Sequence, residues 1–359
     1  MLKDAIDLSA VRRVLVIKLR HHGDVLLSSP LLTVLKKHAP HAEIDALVYH
    51  DTRDMLSGHP ALSELFTIDR QWKKLGPLGQ LRAEWQLLSR LRARGYDLVI
   101  HLTEHKRGAW LSRLLAPRWS VAPGGDHGKF FKRSFTHRYP VIGGNRRHTV
   151  EIHLDALRRL GIYPAADERR LQLAIPQPAR EVVRAKLAAN GVTGRYVLIH
   201  PTSRWLFKTW PVARMAALID ALSARGDTVV LSAAPDAAEL AMLADIQSRL
   251  MRPVASLAGE LNLKQLAALI DDATLFVGMD SVPMHMAAAL QTPCVALFGP
   301  SGDIEWGPWQ VPHRLLTTNM SCRPCGRDGC GGGKRSECLE HIDEQQVLAA
   351  IAQLQQEQP

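Results

Sequence analysis

The stretch Thr274-Leu275-Phe276-Val277-Gly278-Met279-Asp280-Ser281-Val282-Pro283-Met284-His285 predicts the fold of this chain. It opens with an apolar β-run, after which Asp280 and Ser281 favour a helix N-cap and Pro283 suits the first helical turn. Residues 293–298 then predict a second buried strand. A helix that starts just beyond the carboxyl end of a parallel strand presents backbone N–H groups to a phosphate. The alternative is an ordinary strand–helix–strand unit in which Asp280 only caps the helix.

The rest of the chain alternates between the same two kinds of segment. Strands are predicted at residues 11–17, 44–48, 96–100, 196–200 and 228–231, and helices at 24–37, 151–160, 211–224, 237–249 and 263–270. This alternation predicts an α/β fold of two Rossmann-like domains that face a cleft. The expected domains are residues 1–175 and 176–342, followed by a terminal helix over 343–359. Residues 120–147 predict a long mobile loop, and residues 164–180 predict the crossing between the domains.

Charge is distributed unevenly along the 359 residues. Residues 1–180 hold 30 Lys/Arg against 17 Asp/Glu, whereas residues 181–359 hold 15 against 18. Within the first half, residues 101–150 hold 10 basic and 2 acidic side chains. Such a basic field favours an anionic partner, which leaves nucleic acid, an anionic lipid surface or a phosphorylated substrate. The basic residues lie on no recognisable nucleic-acid-binding element, and a basic face kept for solubility is the remaining alternative.

The apolar segments are all shorter than a membrane span. The N-terminal residues 1–7 carry two acids where a signal peptide needs a basic and then an apolar stretch. We therefore expect the protein to reside in the cytoplasm.

Four of the five cysteines, Cys322, Cys325, Cys330 and Cys338, are close together in the sequence. In a cytosolic chain this arrangement raises the possibility of a small structural zinc site, although the spacings between the later cysteines are loose. Free thiols or a redox pair are the alternatives, and zinc is not the favoured one. Cys294 lies in an apolar strand and is expected in the core.

Ligands of open α/β sheets bind at the carboxyl ends of the strands. The polar residues at those positions are Lys18, Arg20, His21, His22, Gly23 and Asp24 in the first half, and Thr202, Ser203, Arg204, Lys208, Asp236, Glu239, Asp280, Ser281, His285 and Gly299 in the second. The sequence has no Gly-x-x-x-x-Gly-Lys run, no Gly-x-Gly-x-x-Gly after a strand and no Asp-x-Asp. These residues therefore predict a metal-free anion site in which Arg204 and Lys208 offset the charge of a diphosphate leaving group.

Asp24 is the carboxylate of the loop that follows the first strand, and a flexible Gly23 precedes it. Such a group is able to accept a proton from a hydroxyl nucleophile. The alternative, which the residues alone favour slightly, is that Asp24 caps a helix.

Together these motifs resemble glycosyltransferase family 9, the bacterial lipopolysaccharide heptosyltransferases of GT-B fold. The resemblance covers nearly the whole chain in order. It rests on residues 16–30, Val-Ile-Lys-Leu-Arg-His-His-Gly-Asp-Val-Leu-Leu-Ser-Ser-Pro, on Tyr96-Asp97-Leu98-Val99, on His148-Thr149-Val150-Glu151, on His200-Pro201-Thr202-Ser203-Arg204 with Lys208-Thr209-Trp210-Pro211, and on residues 277–289 followed by Val295-Ala296-Leu297-Phe298-Gly299-Pro300.

The resemblance implies an inverting, metal-independent transfer of L-glycero-D-manno-heptose from ADP-heptose to the inner core on lipid A, with no cofactor. It implies that Asp24 is the general base and that Lys208 binds the donor phosphates. The residue that reaches the donor ribose falls on Asp236, with Glu239 as the alternative. The implied donor-binding set is Thr202, Ser203, Arg204, Lys208, Asp236, Asp280, Ser281, Met284, His285 and Gly299.

Two departures from the family pattern concern the helix entry and the first loop. Val282-Pro283 stands where relatives usually have Gly followed by an apolar residue, and the loop reads Leu-Arg-His-His-Gly-Asp. This basic loop and the cysteine-rich tail resemble the members that add the third, branching heptose. The basic field would then meet the phosphates and carboxylates of the acceptor at the inner face of the inner membrane. The candidate acceptor-binding residues are Arg20, His21, His22, Lys106, Arg107, Lys129, Lys132 and Arg133.

Three other functions remain open from the sequence. The nearest is another family 9 transferase that uses a different sugar or core position. A nucleotide-sugar epimerase on the same architecture would consume donor without acceptor. A non-catalytic protein that binds nucleotides or polyanions is the third.

Overall fold

In the computed structural model, which describes residues 4–125 and 128–357, the chain folds into two compact units. Unit 1 comprises Met1–Gly143 and Thr149–Gln172, and unit 2 comprises Gly144–His148 and Leu173–Pro359. Within the described ranges, no helix combines the length and apolarity needed to span a membrane.

Unit 1 is a six-stranded parallel sheet with helices on both faces. Its strands are β1 (Arg13–Ile17), β2 (Glu43–Tyr49), β3 (Glu64–Ile68), β4 (Leu98–His101), β5 (Trp119–Pro123) and β6 (His137–Tyr139). Its helices are α1 (His22–Leu26), α2 (Ser29–His38), α3 (Gly76–Arg94), α4 (Lys106–Leu115), α5 (Gly128–Lys132) and α6 (Thr149–Arg159). The strand order is β3-β2-β1-β4-β5-β6, with Val16 in register with Ala46 on one side and Ile100 on the other.

Unit 2 repeats this architecture. Its strands are β7 (Val197–His200), β8 (Val229–Leu231), β9 (Ala255–Ser256), β10 (Leu275–Met279), β11 (Cys294–Leu297) and β12 (His313–Leu316). Its helices are α7 (Gln177–Ala189), α8 (Val212–Ala224), α9 (Ala237–Ser248), α10 (Leu263–Asp271), α11 (Val282–Leu290), α12 (Asp303–Trp306), α13 (Glu337–Glu340) and α14 (Glu344–Gln356). The strand order is β12-β11-β10-β7-β8-β9, and all pairings are parallel.

Both strand orders are those of the Rossmann fold, so each sheet has one switch point where the order reverses. In unit 1 it lies between β1 and β4, and in unit 2 between β7 and β10. The central strands read as continuous apolar runs because helices cover both faces, and every residue of β7 and β10 is buried. The α/β prediction is confirmed, and the two switch points are where the candidate residues cluster.

Two segments differ from the sequence predictions. Residues 120–147 are not one long loop, because β5, α5 and β6 occupy much of this stretch. Phe131 and Phe135 supply the apolar anchors, since both are buried against Ala109 and Ala122. The helix predicted over 24–37 is two helices, broken at Leu27–Ser28. Pro30 has no N–H to continue α1, so α2 restarts with the proline in its first turn, where none is needed.

Candidate active site

The central contact at the switch point of unit 2 joins Lys208 and Asp280. The Lys208 Nζ atom lies 2.6 Å from Asp280 Oδ2, and both side chains are largely buried. Asp280 follows β10, whereas Lys208 ends a short 3₁₀ turn after β7, so the pair ties together two neighbouring strand ends. This arrangement fixes a lysine ammonium where an anionic ligand of the sheet would bind.

Asp280 does not cap α11, which excludes the simple capping alternative. Ser281 is the N-cap residue, and its hydroxyl donates to the Met279 carbonyl at 3.3 Å instead of accepting from the helix. Pro283 lies in the first turn, and Met284 and His285 are buried. Because the Ser281 side chain makes no capping hydrogen bond, it leaves the backbone N–H groups of the first turn to an oxyanion.

A second contact of the same switch point joins Thr202 and Glu239. The Thr202 hydroxyl donates to Glu239 Oε2 at 2.7 Å, and both residues are buried. Asp236, which the resemblance favoured, is exposed and caps α9 by accepting from the N–H groups of Ala238 and Glu239. Glu239, the alternative, is therefore the carboxylate that lies beside the strand end.

His200 is the last residue of β7 and is buried. Its Nδ1 atom lies 2.9 Å from the Ser232 hydroxyl, and burial lowers the pKa of the imidazole to about 4. The ring is therefore neutral at physiological pH and supports the Thr202 loop without adding charge.

The loop between β7 and α8 carries the remaining candidates, Ser203 and Arg204. Arg204 is exposed, and Ser203 is buried beside it. Trp205 is about half exposed, and Lys208 Nζ lies 4.9 Å from the centre of its ring. This cation–π contact and the Asp280 carboxylate together hold the Lys208 ammonium from two sides.

Gly299 has a packing reason as well as its predicted binding role. A Cβ atom at this position would lie 2.7 Å from two atoms of the Leu339 side chain. Its carbonyl accepts from Arg323 Nε at 2.7 Å. The residue is therefore glycine because the loop after β11 passes directly over α13.

At the switch point of unit 1, Asp24 pairs with a buried lysine. Lys18 Nζ lies 3.4 Å from Asp24 Oδ1, 2.8 Å from His153 Nε2 and 3.3 Å from the Leu102 carbonyl. Burial lowers the pKa of Lys18, and the Asp24 charge opposes that shift. Asp24 lies inside the first turn of α1, where His21 is the N-cap residue. The structure therefore assigns Asp24 an ion pair and not a capping role.

Sequence reasoning collected Lys18 with the loop but missed its partner His153. The signal for Lys18 was a lysine directly after the apolar run of β1. The signal for His153 was weaker, since a histidine on the buried face of an amphipathic helix is commonly a core residue.

The basic acceptor candidates lie in two environments. Arg20, Lys106, Lys129 and Arg133 are exposed, whereas Arg107 is paired with Glu84. His21 is exposed, Lys132 is half-buried and His22 Nε2 lies 2.8 Å from the Asp51 carbonyl. All of them belong to unit 1, whereas Arg146 and Arg147 of the basic field lie in the segment Gly144–His148 of unit 2.

The four clustered cysteines form no disulfide bond in this structure. Cys322, Cys325 and Cys330 are exposed, Cys338 is buried, and all of them carry free thiols. Across the described ranges, no set of His, Cys, Asp and Glu side chains is arranged to hold a metal ion. Cys294 is buried in β11, as predicted.

Comparisons with known proteins agree with the motifs. Residues 84–334 match the profile of glycosyltransferase family 9 (heptosyltransferase). The chain is 40% identical over 294 residues to lipopolysaccharide heptosyltransferase 3 of Escherichia coli, an alignment that covers 81% of this chain and 84% of the relative.

Solved structures show the same fold. A family 9 glycosyltransferase of Veillonella parvula superimposes with a TM-score of 0.84 at 24% identity, covering 99% of this chain and 100% of that one. ADP-heptose lipopolysaccharide heptosyltransferase II of Escherichia coli gives a TM-score of 0.75 at 23% identity, covering 96% and 100%. The prediction of a GT-B fold is confirmed.

Proposed function

The chain belongs to glycosyltransferase family 9, the heptosyltransferases, and on that premise we propose that it adds the third, branching heptose of the lipopolysaccharide inner core. The donor is ADP-L-glycero-D-manno-heptose, and the acceptor is a heptose of the core on lipid A. The 40% identity to heptosyltransferase 3 over most of both chains supports this position of transfer. The observation that carries the chemistry is the Lys208–Asp280 pair at the uncapped start of α11.

The proposed reaction is a single displacement with inversion at the anomeric carbon. The carboxylate of Asp24 takes the proton from the acceptor hydroxyl while that oxygen bonds to the anomeric carbon. The bond between the anomeric carbon and the phosphate oxygen breaks, and ADP leaves with the electron pair. Lys18 supports this role because its buried ammonium holds the Asp24 carboxylate by Coulomb attraction.

The leaving diphosphate is proposed to be met by protein charges. Lys208 and the exposed Arg204 supply cations, and the first turn of α11 supplies N–H groups. We propose that these groups suffice and that transfer needs no metal. A titration of the initial rate with EDTA tests this point directly. A rate that stays constant supports it, and a rate that collapses and returns with added Mg²⁺ contradicts it.

Glu239 is our proposed partner for the donor ribose. Thr202 donates to Glu239 Oε2, and we propose that Oε1 accepts from a ribose hydroxyl. Asp236 already accepts from two backbone N–H groups of α9 and faces solvent. We also propose that Ser203, Ser281, Met284, His285 and Gly299 contact the donor.

The acceptor and the location follow from the charge of unit 1. We propose that its exposed cations meet the phosphates and carboxylates of the inner core at the inner face of the inner membrane. Replacing Lys129, Lys132 and Arg133 together by glutamine is expected to raise the KM for acceptor. An unchanged KM in the triple variant would remove these residues from the acceptor site.

A coupled assay of ADP release tests the function as a whole. ADP-heptose is supplied with no acceptor, with a core that ends at the first heptose, and with a core that ends at the second. Release that requires the second heptose supports the proposal, and release with the first alone assigns another position. Donor consumption without acceptor would instead indicate an epimerase, and donor binding without release would indicate a binding protein.

A further inference from the structure

Helix α3 of unit 1 is apolar on two opposite faces. Leu87 and Leu91 are buried in the core, as an amphipathic helix requires. On the other side, Leu78, Leu81 and Trp85 are 84%, 66% and 67% exposed. Their spacing of three and four residues places them on one outward stripe across two helical turns. Single exposed apolar residues are common in proteins, but a stripe of three large ones is a feature of interaction surfaces.

Helix α4 lies beside α3 and extends the same surface. Arg107 pairs with Glu84, and Arg92 Nε donates to the Leu114 carbonyl at 3.0 Å, so the two helices run side by side in the same direction. Leu111 belongs to the same core cluster as Leu87 and Leu91, so the opposite faces of both helices point away from the sheet.

The outward face of α4 is also apolar. Trp110 is 55% exposed and Leu114 is 40% exposed, one turn apart. The Trp110 ring packs against Phe130 at a centroid distance of 4.5 Å, which fixes the indole at the surface. We call Leu78, Leu81, Trp85, Trp110 and Leu114 the α3–α4 surface.

Basic residues are frequent in the two segments that carry the α3–α4 surface. Residues 70–94 contain seven Lys/Arg and one Asp/Glu, and residues 106–118 contain four Lys/Arg and no Asp/Glu. Arg70, Arg90, Arg94 and Arg107 of this set are paired with carboxylates. Lys73, Lys74, Arg82 and Lys106 are exposed. Exposed leucine and tryptophan side chains with cations nearby are typical of protein segments that lie in the headgroup region of an anionic bilayer.

We propose that the α3–α4 surface docks unit 1 onto an anionic lipid bilayer, with the leucines and tryptophans entering the headgroup–acyl boundary and the cations contacting lipid phosphates. A second copy of the chain is a poorer occupant, because a symmetric contact would bring the two cationic rims together. An anionic bilayer can bury the apolar side chains and also pair its phosphates with the neighbouring cations.

The position of the surface connects it to the proposed reaction, and this connection rests on the proposed function. The 3₁₀ turn Arg70–Lys74 leads into α3. Arg70 pairs with Asp51 at 2.6 Å and donates to the Arg20 carbonyl at 3.2 Å. The exposed end of α3 therefore starts beside the loop that leads to Asp24, so docking would bring that loop to a lipid-borne acceptor.

Vesicle binding tests the proposal without donor or acceptor. Wild-type protein is sedimented with vesicles of phosphatidylethanolamine and phosphatidylglycerol, and separately with phosphatidylcholine vesicles. We expect binding to the anionic vesicles that weakens with salt. In Leu78→Gln/Leu81→Gln we expect at least a roughly tenfold weaker partition coefficient. In Lys73→Gln/Lys74→Gln we expect about a fivefold loss for each cation removed.

The matched control is Met251→Gln/Ile304→Gln, which removes two exposed apolar side chains from unit 2 and should bind like wild type. Turnover of a water-soluble core fragment should be unchanged in Leu78→Gln/Leu81→Gln, so a failure of the proposed reaction is seen separately. As a second measurement, brominated lipid should quench tryptophan emission of the wild type and less that of Trp85→Leu.

Three results would overturn the docking proposal. One is wild-type protein that stays in the supernatant with anionic vesicles. Another is equal binding by Leu78→Gln/Leu81→Gln and wild type. The third is a wild-type dimer, detected by analytical ultracentrifugation, that becomes a monomer in this variant without any loss of vesicle binding, since the surface would then join two copies of the chain.

Discussion

Each of the two Rossmann-like units holds one Lys–Asp pair at its switch point, and the two pairs are opposite in exposure. In unit 1 the lysine is the more buried member, because the side chain of Lys18 is 6% exposed and that of Asp24 is 18% exposed. In unit 2 the carboxylate is the more buried member, because Asp280 is 8% exposed and Lys208 is 16% exposed. The more exposed member of the pair is therefore a carboxylate in unit 1 and an ammonium in unit 2.

This difference suits the two halves of the proposed displacement. A base must present a carboxylate to the acceptor hydroxyl, and an anion site must present a cation to the diphosphate. The other residue of each pair then serves as a fixed counter-charge.

The largest effect is expected from Asp24→Asn. The amide keeps the shape of the carboxylate but cannot take the acceptor proton, so kcat should fall by roughly 10²-fold or more with the KM for donor unchanged. Steady-state kinetics of ADP release measure both constants. Asp54→Asn, a second carboxylate of unit 1, is the control and should keep wild-type kcat. Full activity in Asp24→Asn would remove Asp24 from the reaction.

Lys208→Met should lower kcat/KM for the donor by about 10²-fold, because the diphosphate loses its cation and meets the Asp280 carboxylate instead. It should also lower the free energy of unfolding by about 3 kcal/mol, since Asp280 is left buried and unpaired. Urea denaturation measures this loss. The double variant Lys208→Met/Asp280→Asn should regain stability but not activity. Recovery of activity in the double variant would contradict a direct role for Lys208.

A comparison of Glu239→Gln with Asp236→Asn sharpens the account of unit 2. Glu239→Gln should raise the KM for donor by about tenfold, the cost of one weakened hydrogen bond to a charged group. Asp236→Asn should leave the KM unchanged, because asparagine is an equally good N-cap for α9. The opposite outcome would make Asp236 the residue that contacts the ribose.

The last prediction concerns the pH dependence of stability and leaves activity aside. Burial lowers the pKa of His200 to about 4, whereas an unfolded histidine titrates near its ordinary value of 6.5. Between pH 4 and pH 6.5, His200 is largely protonated in the unfolded chain and largely neutral in the folded chain. Stability from this residue is therefore complete above pH 6.5 and is lost as pH falls toward 4, by about 3 kcal/mol in total. Urea unfolding at pH 7 and pH 4.5 should show a smaller difference in His200→Gln than in wild type, and equal differences would contradict this assignment.

The sequence predicted the sheet architecture well because buried parallel strands leave continuous apolar runs, as at residues 275–279 and 294–297. It predicted which loops carry the candidate residues, since those loops follow the strands. The side-chain pairings could not be predicted from the sequence, because Lys208 and Asp280 are 72 residues apart and Lys18 and His153 are 135 residues apart. Local pattern therefore suggested a cap for Asp280 where tertiary structure gives it an ion pair.

The same limit explains the error at residues 120–147. A glycine-rich, basic composition is typical of loops, but Phe131 and Phe135 bury themselves against α4 and order the segment. The outward stripe of α3 was likewise hidden, because apolar residues on two faces of one helix look like a buried helix until its neighbours are known.

The most direct test of the contrast between the two pairs is a calorimetric titration of ADP into wild type, Asp24→Asn and Lys208→Met. We predict that Asp24→Asn binds ADP with the affinity of the wild type, since the carboxylate that it loses is proposed to serve the acceptor. We predict that Lys208→Met binds ADP at least tenfold more weakly, because one charge-assisted contact is lost. Weakened binding in Asp24→Asn together with unchanged binding in Lys208→Met would contradict the assignment of the base to unit 1 and the anion site to unit 2.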